Sequence, residues 1–169
     1  MKKLKIWSIA MLALSLGMMS CDKEDDSDDD TNPVAKVGAQ GEWQSSGTDV
    51  APLLVSLFNT DSIYVNFGTD MTYTVEQYDS TGTMLTLAGV YTQTKTGTGE
   101  IYTISLDQTS PAVLTSEGMF EVTGTTMKYE VVQTSPDIGA VPPTAAAGFG
   151  STNGGALGTL NVQTYQRIE

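Results

Sequence analysis

The sequence predicts an all-β domain of about eight short antiparallel strands. These strands either close into an up-and-down barrel or divide between the two sheets of a Greek-key sandwich. Three observations carry the prediction. Past residue 40 the apolar side chains recur at every second position, not at the 3.6 spacing of a helix. Glycine-bearing turns punctuate these runs at hairpin intervals, and Thr, Tyr, Val and Ile dominate between them. A set of short strands that long must hide its edges, which only closure or sheet-on-sheet packing achieves.

The elements follow in order. The first strand falls on "EWQSSG". The segment "APLLVSLF", residues 51–58, breaks the alternation. The spacing of Leu53, Leu54, Leu57 and Phe58 fits a short helix, with Asp49 as N-cap and Pro52 tolerated in the first turn. Its natural place is a lid over one barrel end, and a buried strand is the alternative. Ile63, Val65 and Phe67 then alternate with Ser62, Tyr64 and Asn66. After a "GTD" turn, Met71, Tyr73 and Val75 alternate with Thr72, Thr74 and Glu76. "DSTG" closes a hairpin into a strand through Leu85, Leu87 and Tyr91.

A "KTGTGE" turn precedes "IYTISL", where Tyr102, Ile104 and Leu106 share a face. "QTSPAVLTSEG" reads as an irregular crossing held by Pro111. "MFEVTG" and "TMKYEVVQT" form a tight hairpin around Gly124, which sets Phe120 and Val122 with Met127, Tyr129 and Val131 on the inner side. The last strand, "TLNVQTYQRI", offers Leu160, Val162 and Thr164 on one face and Asn161, Gln163, Tyr165 and Arg167 on the other.

The two ends favour the barrel. "GEW" opens the first strand, and Arg167, the sole arginine, stands in the last. A guanidinium over an indole face gains cation–π attraction and can still donate to backbone carbonyls. This pairing resembles the lipocalin and calycin arrangement, in which a Gly-x-Trp packs at the closed end of an eight-stranded barrel against an arginine of the terminal strand. The "TYTV" strand and the "YQR" ending are likewise similar to lipocalin-like lipoproteins of the Bacteroidota. The resemblance implies a lipocalin-like eight-stranded antiparallel up-and-down barrel with one short N-terminal helix. It covers residues 41–169, and assigns Trp43 and Arg167 to packing at the barrel end.

Ahead of the domain, residues 1–20 combine three lysines, an apolar run and Ser20 just before the only cysteine, Cys21. That is the build of an export signal. "LSLGMMSC" resembles the lipobox of bacterial lipoproteins, which implies cleavage before Cys21 and a diacylglycerol on its sulfur. The acyl chains would supply the anchor that stable membrane attachment requires. Seven carboxylates follow within nine residues, and they repel one another with nothing apolar to fold against. Residues 21–40 are therefore expected to be a disordered tether. The run lacks the Asp-x-Asp-x-Asp-Gly turn of a calcium loop, so no metal is expected there. "SDDD", Ser27, Asp28, Asp29 and Asp30, is similar to the surface-export signal of Bacteroidota lipoproteins. That likeness implies an outer-membrane protein facing outward, the periplasmic face being the alternative.

Composition narrows function further. Without residues 1–20, five cations remain (Lys23, Lys36, Lys95, Lys128 and Arg167) against all 20 acidic groups, a net charge of about −15. Such a chain repels phosphate backbones, and nucleic acid is excluded as a partner. There is no histidine, and the one thiol is expected to be acylated, so neither enzyme activity nor a cofactor is expected. The strand carboxylates Glu76, Glu121 and Glu130 alternate to the outer face as solvated groups.

A barrel of eight strands has room for one small molecule. Met71, Tyr73, Phe120, Met127 and Tyr129 are the candidate ligand-lining residues; the same side chains could instead fill the interior and leave a module for a protein partner. The 24-residue connection over 135–158 is long enough to be functional. Within it Phe149, between two glycines, would plug the mouth, touch a partner or pin the loop to the core. "DSI" and "DST" resemble a Bacteroidota O-glycosylation sequon, which makes Ser62 and Ser80 candidate glycan sites.

Overall fold

Side-chain alternation decides which residues meet inside, and pairing decides how the strands close. In a computed structural model, which describes residues 36–169, eight strands form one closed barrel. They are β1 (Gly41–Ser46), β2 (Thr60–Phe67), β3 (Thr72–Asp79), β4 (Met84–Lys95), β5 (Ile101–Ser110), β6 (Leu114–Thr123), β7 (Thr126–Ser135) and β8 (Gln163–Arg167), with helix α1 (Pro52–Phe58) between β1 and β2. Each strand pairs antiparallel with its sequence neighbour, and β8 returns to β1, so the topology is up-and-down and the sandwich alternative is excluded. The signal segment, Cys21, Ser27, Asp28, Asp29 and Asp30 lie outside the described residues.

One barrel end is sealed by the chain that precedes β1. Residues 36–40, expected to end the tether, pack with the fold: Ala39 and Gln40 are buried. The Trp43 Nε1 donates to the Ala39 carbonyl at 2.7 Å, and the Ala39 amide donates to Gln93 Oε1 at 2.9 Å. The Arg167 guanidinium lies 3.9 Å from the centre of the Trp43 ring, and its Nη1 donates to the Gln40 carbonyl at 2.8 Å. Gly41 has a φ of 120°, and a Cβ there would run into Arg167 Nη1. The glycine of the Gly-x-Trp is thus fixed both by backbone conformation and by the arginine that must lie against it.

Above this seal Trp43, Phe67, Tyr91, Phe120 and Met127 fill the lower half of the interior. The Phe67 and Tyr91 rings meet edge-on at 5.0 Å, and Phe120 stacks on Tyr102 at 5.1 Å. The Tyr91 hydroxyl donates to the Gly68 carbonyl at 2.9 Å, which ties the core to the β2–β3 turn.

Several local expectations change. Asp49 does not cap α1; it ends a short 3-10 turn, and Ala51 stands at the N-cap. Pro52 at the first helical position explains this, because a residue before proline is pushed out of the α region, and Ala51 accordingly has a ψ of 127°. Met71 does not point inward. It sits exposed at a φ of 65° in the turn, where Asp70 Oδ1 accepts from the Thr72 amide and hydroxyl and delays the strand to Thr72. The irregular crossing expected around Pro111 shrinks to residues 111–113, because β5 and β6 extend through it with polar inward residues, Gln108 and Ser116, that hide the alternation. In β8 the inward face is the polar-looking one, Gln163 and Tyr165, and Leu160 belongs to a 3-10 turn outside the strand.

Arg167→Ala should lower stability by about 1–3 kcal/mol in urea titrations, through loss of the ring contact and of a charged hydrogen bond to a buried carbonyl. Arg167→Lys should recover little, because an ammonium does not lie flat on the indole. A loss below about 0.5 kcal/mol would show that the seal does not depend on this residue.

Candidate functional site

The upper half of the barrel is built from smaller inward residues than the lower half. Ser45, Val75, Leu87, Ser116 and Val131 stand where the lower half has Trp43, Phe67, Phe120 and Met127. The difference leaves a cavity of about 560 Å³, inside the range typical of small-molecule sites. Its floor is Tyr73, Tyr129 and Tyr165, which rest on Phe67 or on one another: Phe67 lies 6.4 Å from Tyr73 and 6.5 Å from Tyr129, and the Tyr129 and Tyr165 rings meet edge-on at 5.7 Å. Ile63, Val75, Leu87, Leu106 and Val131 form much of the wall. At the mouth α1 contributes Leu53, Leu54 and Phe58, and the β7–β8 connection contributes Ile138 and Leu157.

Among the described residues, no charged side chain lines this cavity. Its glutamines are engaged elsewhere: Gln77 Nε2 donates to Thr60 Oγ1 at 2.8 Å, Gln108 Nε2 to the Ala112 carbonyl at 2.9 Å, and Gln133 Nε2 to the Pro136 carbonyl at 2.8 Å. They brace the rim and its turns. Burial pushes the Tyr73 phenol up to about 12, with Asp107 adding to the shift. Burial likewise raises Tyr129 and Tyr165, the nearby Gln163 amide opposing it at Tyr165. All three are therefore neutral phenols at physiological pH.

A second arrangement lies on the outside of the wall. Glu130, expected to be solvated, is fully buried beneath the β7–β8 connection. Its Oε2 accepts from the Gly150 amide at 2.7 Å, and its Oε1 accepts from the Thr152 amide at 3.1 Å and the Thr152 hydroxyl at 2.5 Å. Met119, its cross-strand partner, is equally buried, and a Cβ on neighbouring Gly118 would collide with the Glu130 carbonyl. Further along, the connection clasps itself. The Val141 amide donates to Asn153 Oδ1 at 2.6 Å, and the Asn153 amide donates to the Val141 carbonyl at 2.9 Å. The long loop is therefore a strap held against β7, not a free segment.

Of the residues proposed from sequence to line a ligand, Tyr73 and Tyr129 meet at the cavity floor. Phe120 and Met127 are fully buried in the filled half, and Met71 stands outside the barrel. Phe149 does not reach the mouth; it is half-buried on the outer side, with the Lys128 ammonium 4.6 Å from its ring centre. Ser62 and Ser80 share a groove on the outer face of β2 and β3 with Tyr64 and Tyr78, and Ser80 Oγ accepts from Asn59 Nδ2. Sequence reasoning missed Tyr165, because Leu160 and Val162 made the opposite face of that segment look like the core. It also missed Glu130. The available signal was Met119, an apolar residue in an outward register, which implies that this part of the wall is covered.

No family model, curated protein or solved structure matches the chain. Its likeness to lipocalins rests on architecture, a closed eight-stranded antiparallel barrel with one short helix at its mouth.

Glu130→Ala would leave three donors without an acceptor, the two of Thr152 fully buried, and should cost about 2–4 kcal/mol, with the Gly150 and Thr152 amides losing hydrogen-exchange protection before the barrel strands do. Unchanged protection there would contradict the strap. The floor tyrosines make a second prediction. Their native pKa values are raised above the value of about 10 for an exposed phenol, so their contribution to stability is complete below that pH and is lost as pH rises above it, through about 12 for Tyr73. Phenolate absorbance from these three should appear only above about pH 10, together with unfolding.

Proposed function

We propose that the barrel binds one small hydrophobic or amphipathic molecule in its upper half. We further propose that the protein does this as a lipoprotein held at the outer membrane through acylated Cys21 and displayed outward through Ser27, Asp28, Asp29 and Asp30. The binding reading is carried by the cavity of about 560 Å³ with an uncharged, largely apolar lining above an otherwise filled core. Apolar burial supplies affinity there without any catalytic group, and the reading is accordingly non-enzymatic. The exposed Leu57, Phe58, Val113 and Ile138 near the mouth suit the passage of an apolar molecule. The anchor and its orientation rest on the signal segment, the lone cysteine and the acidic motif of the sequence.

A second reading is supported by the same exposed apolar residues: the mouth as a docking surface for a protein partner, with the cavity unused. Native mass spectrometry of protein purified from its own host separates the two. Ligand binding predicts an additional mass that denaturation releases, whereas the bare chain mass would favour the interaction module. For the anchor, Cys21→Ala should move the protein from the membrane to the soluble fraction. Replacing Asp28, Asp29 and Asp30 by alanine should abolish its digestion by protease on intact cells, and unchanged digestion would reject the export signal.

A further inference from the structure

The floor of the cavity carries more polarity than its walls explain. The tyrosine hydroxyls that hydrogen-bond within the described residues are those of Tyr64, Tyr78 and Tyr91. Those of Tyr73, Tyr102, Tyr129 and Tyr165 make none to the described residues; Tyr102 lies against Phe120 in the filled half, whereas the other three line the cavity, and their hydroxyls are not fully enclosed by the protein. Tyr165 and Tyr73 both act electrostatically on Tyr129, which stands with them at the floor. Beside them, Gln163 Nε2 and Ser45 Oγ, on the paired strands β8 and β1, are buried and also lack a partner among the described residues. The Gln163 side chain opposes the rise of the Tyr165 pKa that burial causes. Hydroxyls without a partner among the described residues thus open on the cavity at one place, below an apolar wall and above the packed ring of Phe67.

Resting on the reading that the cavity binds a ligand, we propose that Tyr73, Tyr129 and Tyr165 form its polar anchor, and that the ligand is an uncharged lipophile whose leading end carries a hydrogen-bond-accepting oxygen. The tyrosines are neutral and each has a proton to donate, which suits a carbonyl, ester or ether oxygen. An ionised carboxylate or phosphate is disfavoured for two reasons. No cation among the described residues lines the cavity to pair with it, so its desolvation would go uncompensated, and the chain carries a net charge of −12. The apolar tail of the ligand would lie against Ile63, Val75, Leu106 and Val131, with its far end under Leu54 and Phe58 of α1.

The test compares three probes of equal length on the full chain: decane, the ten-carbon methyl ketone and decanoate. Each competes with an environment-sensitive apolar fluorophore at about pH 8, where the acid is ionised. The ketone should bind roughly tenfold more tightly than decane, the increment of one or two buried hydrogen bonds, and decanoate should bind no better than decane. In the combined variant Tyr73→Phe, Tyr129→Phe and Tyr165→Phe, which removes hydroxyls and keeps the rings, ketone affinity should fall to that of decane while decane binding stays. Equal affinity for ketone and decane in the unaltered protein, or decanoate binding as tightly as the ketone, overturns the anchor and leaves the cavity reading intact. Failure of the fluorophore and all three probes to bind overturns both.

Discussion

Everything in this molecule depends on closing the barrel through a strand of five residues. β8 is the shortest of the eight but one of the two that must seal the seam, and its contact with β1 runs through Trp43 opposite Arg167 and Gln44 opposite Gln166. So few ladder bonds give a weak joint by themselves, and an open seam would expose two strand edges. The guanidinium makes up the difference by touching three things at once: the indole face, the Gln40 carbonyl and the space that only a glycine at 41 leaves free. The chain before β1 is drawn into the same cluster through Ala39 and Gln93. Closure is therefore a tertiary event that joins the two ends of the domain, and the short β8 needs no intrinsic strength.

With the seam closed at that end, side-chain size divides the interior. Large aromatic and methionine side chains meet above the indole and pack to a solid core. Toward the other end, the inward positions change to serine, valine, leucine and glutamine, and the wall no longer fills its own lumen. The boundary between the halves is a layer of tyrosines. A tyrosine suits that level because its ring continues the core below while its hydroxyl faces a different medium above. The glutamines at the rim complete the design by turning their amides to backbone carbonyls and hydroxyls, so the strand ends stay braced without charge.

Most of the strands were legible in the sequence because their apolar residues alternate, and period two is a property of the chain that no partner alters. Ile63, Val65 and Phe67, or Phe120 and Val122 opposite Tyr129 and Met127, declare their face without reference to the rest of the fold. Legibility failed where the inward residue was polar or the outward one was covered. Gln108 and Ser116 disguised the β5–β6 turn, Gln163 disguised β8, and the strap over β7 turned Glu130 from a solvated group into a buried acceptor. Met71 failed for a local reason, a turn in the left-handed region one residue before the strand. The candidate site was half legible: Tyr73 and Tyr129 belong to plain alternating strands, but their convergence with Tyr165 depends on the closure of the barrel.

The strap has one more consequence. It joins β7 to β8 without contributing a rung to either ladder, fastens itself to the wall through Glu130 and clasps its own limbs at Val141 and Asn153, while presenting Ile138 and Leu157 at the opening. Fastening and presentation are done by different residues. The lip of the vessel can consequently be rewritten, in length as well as in chemistry, while the staves and the fastening stay as they are. In such an architecture the shape of the opening changes by exchange of an ornament, and the hoop that holds the barrel shut is never put at risk.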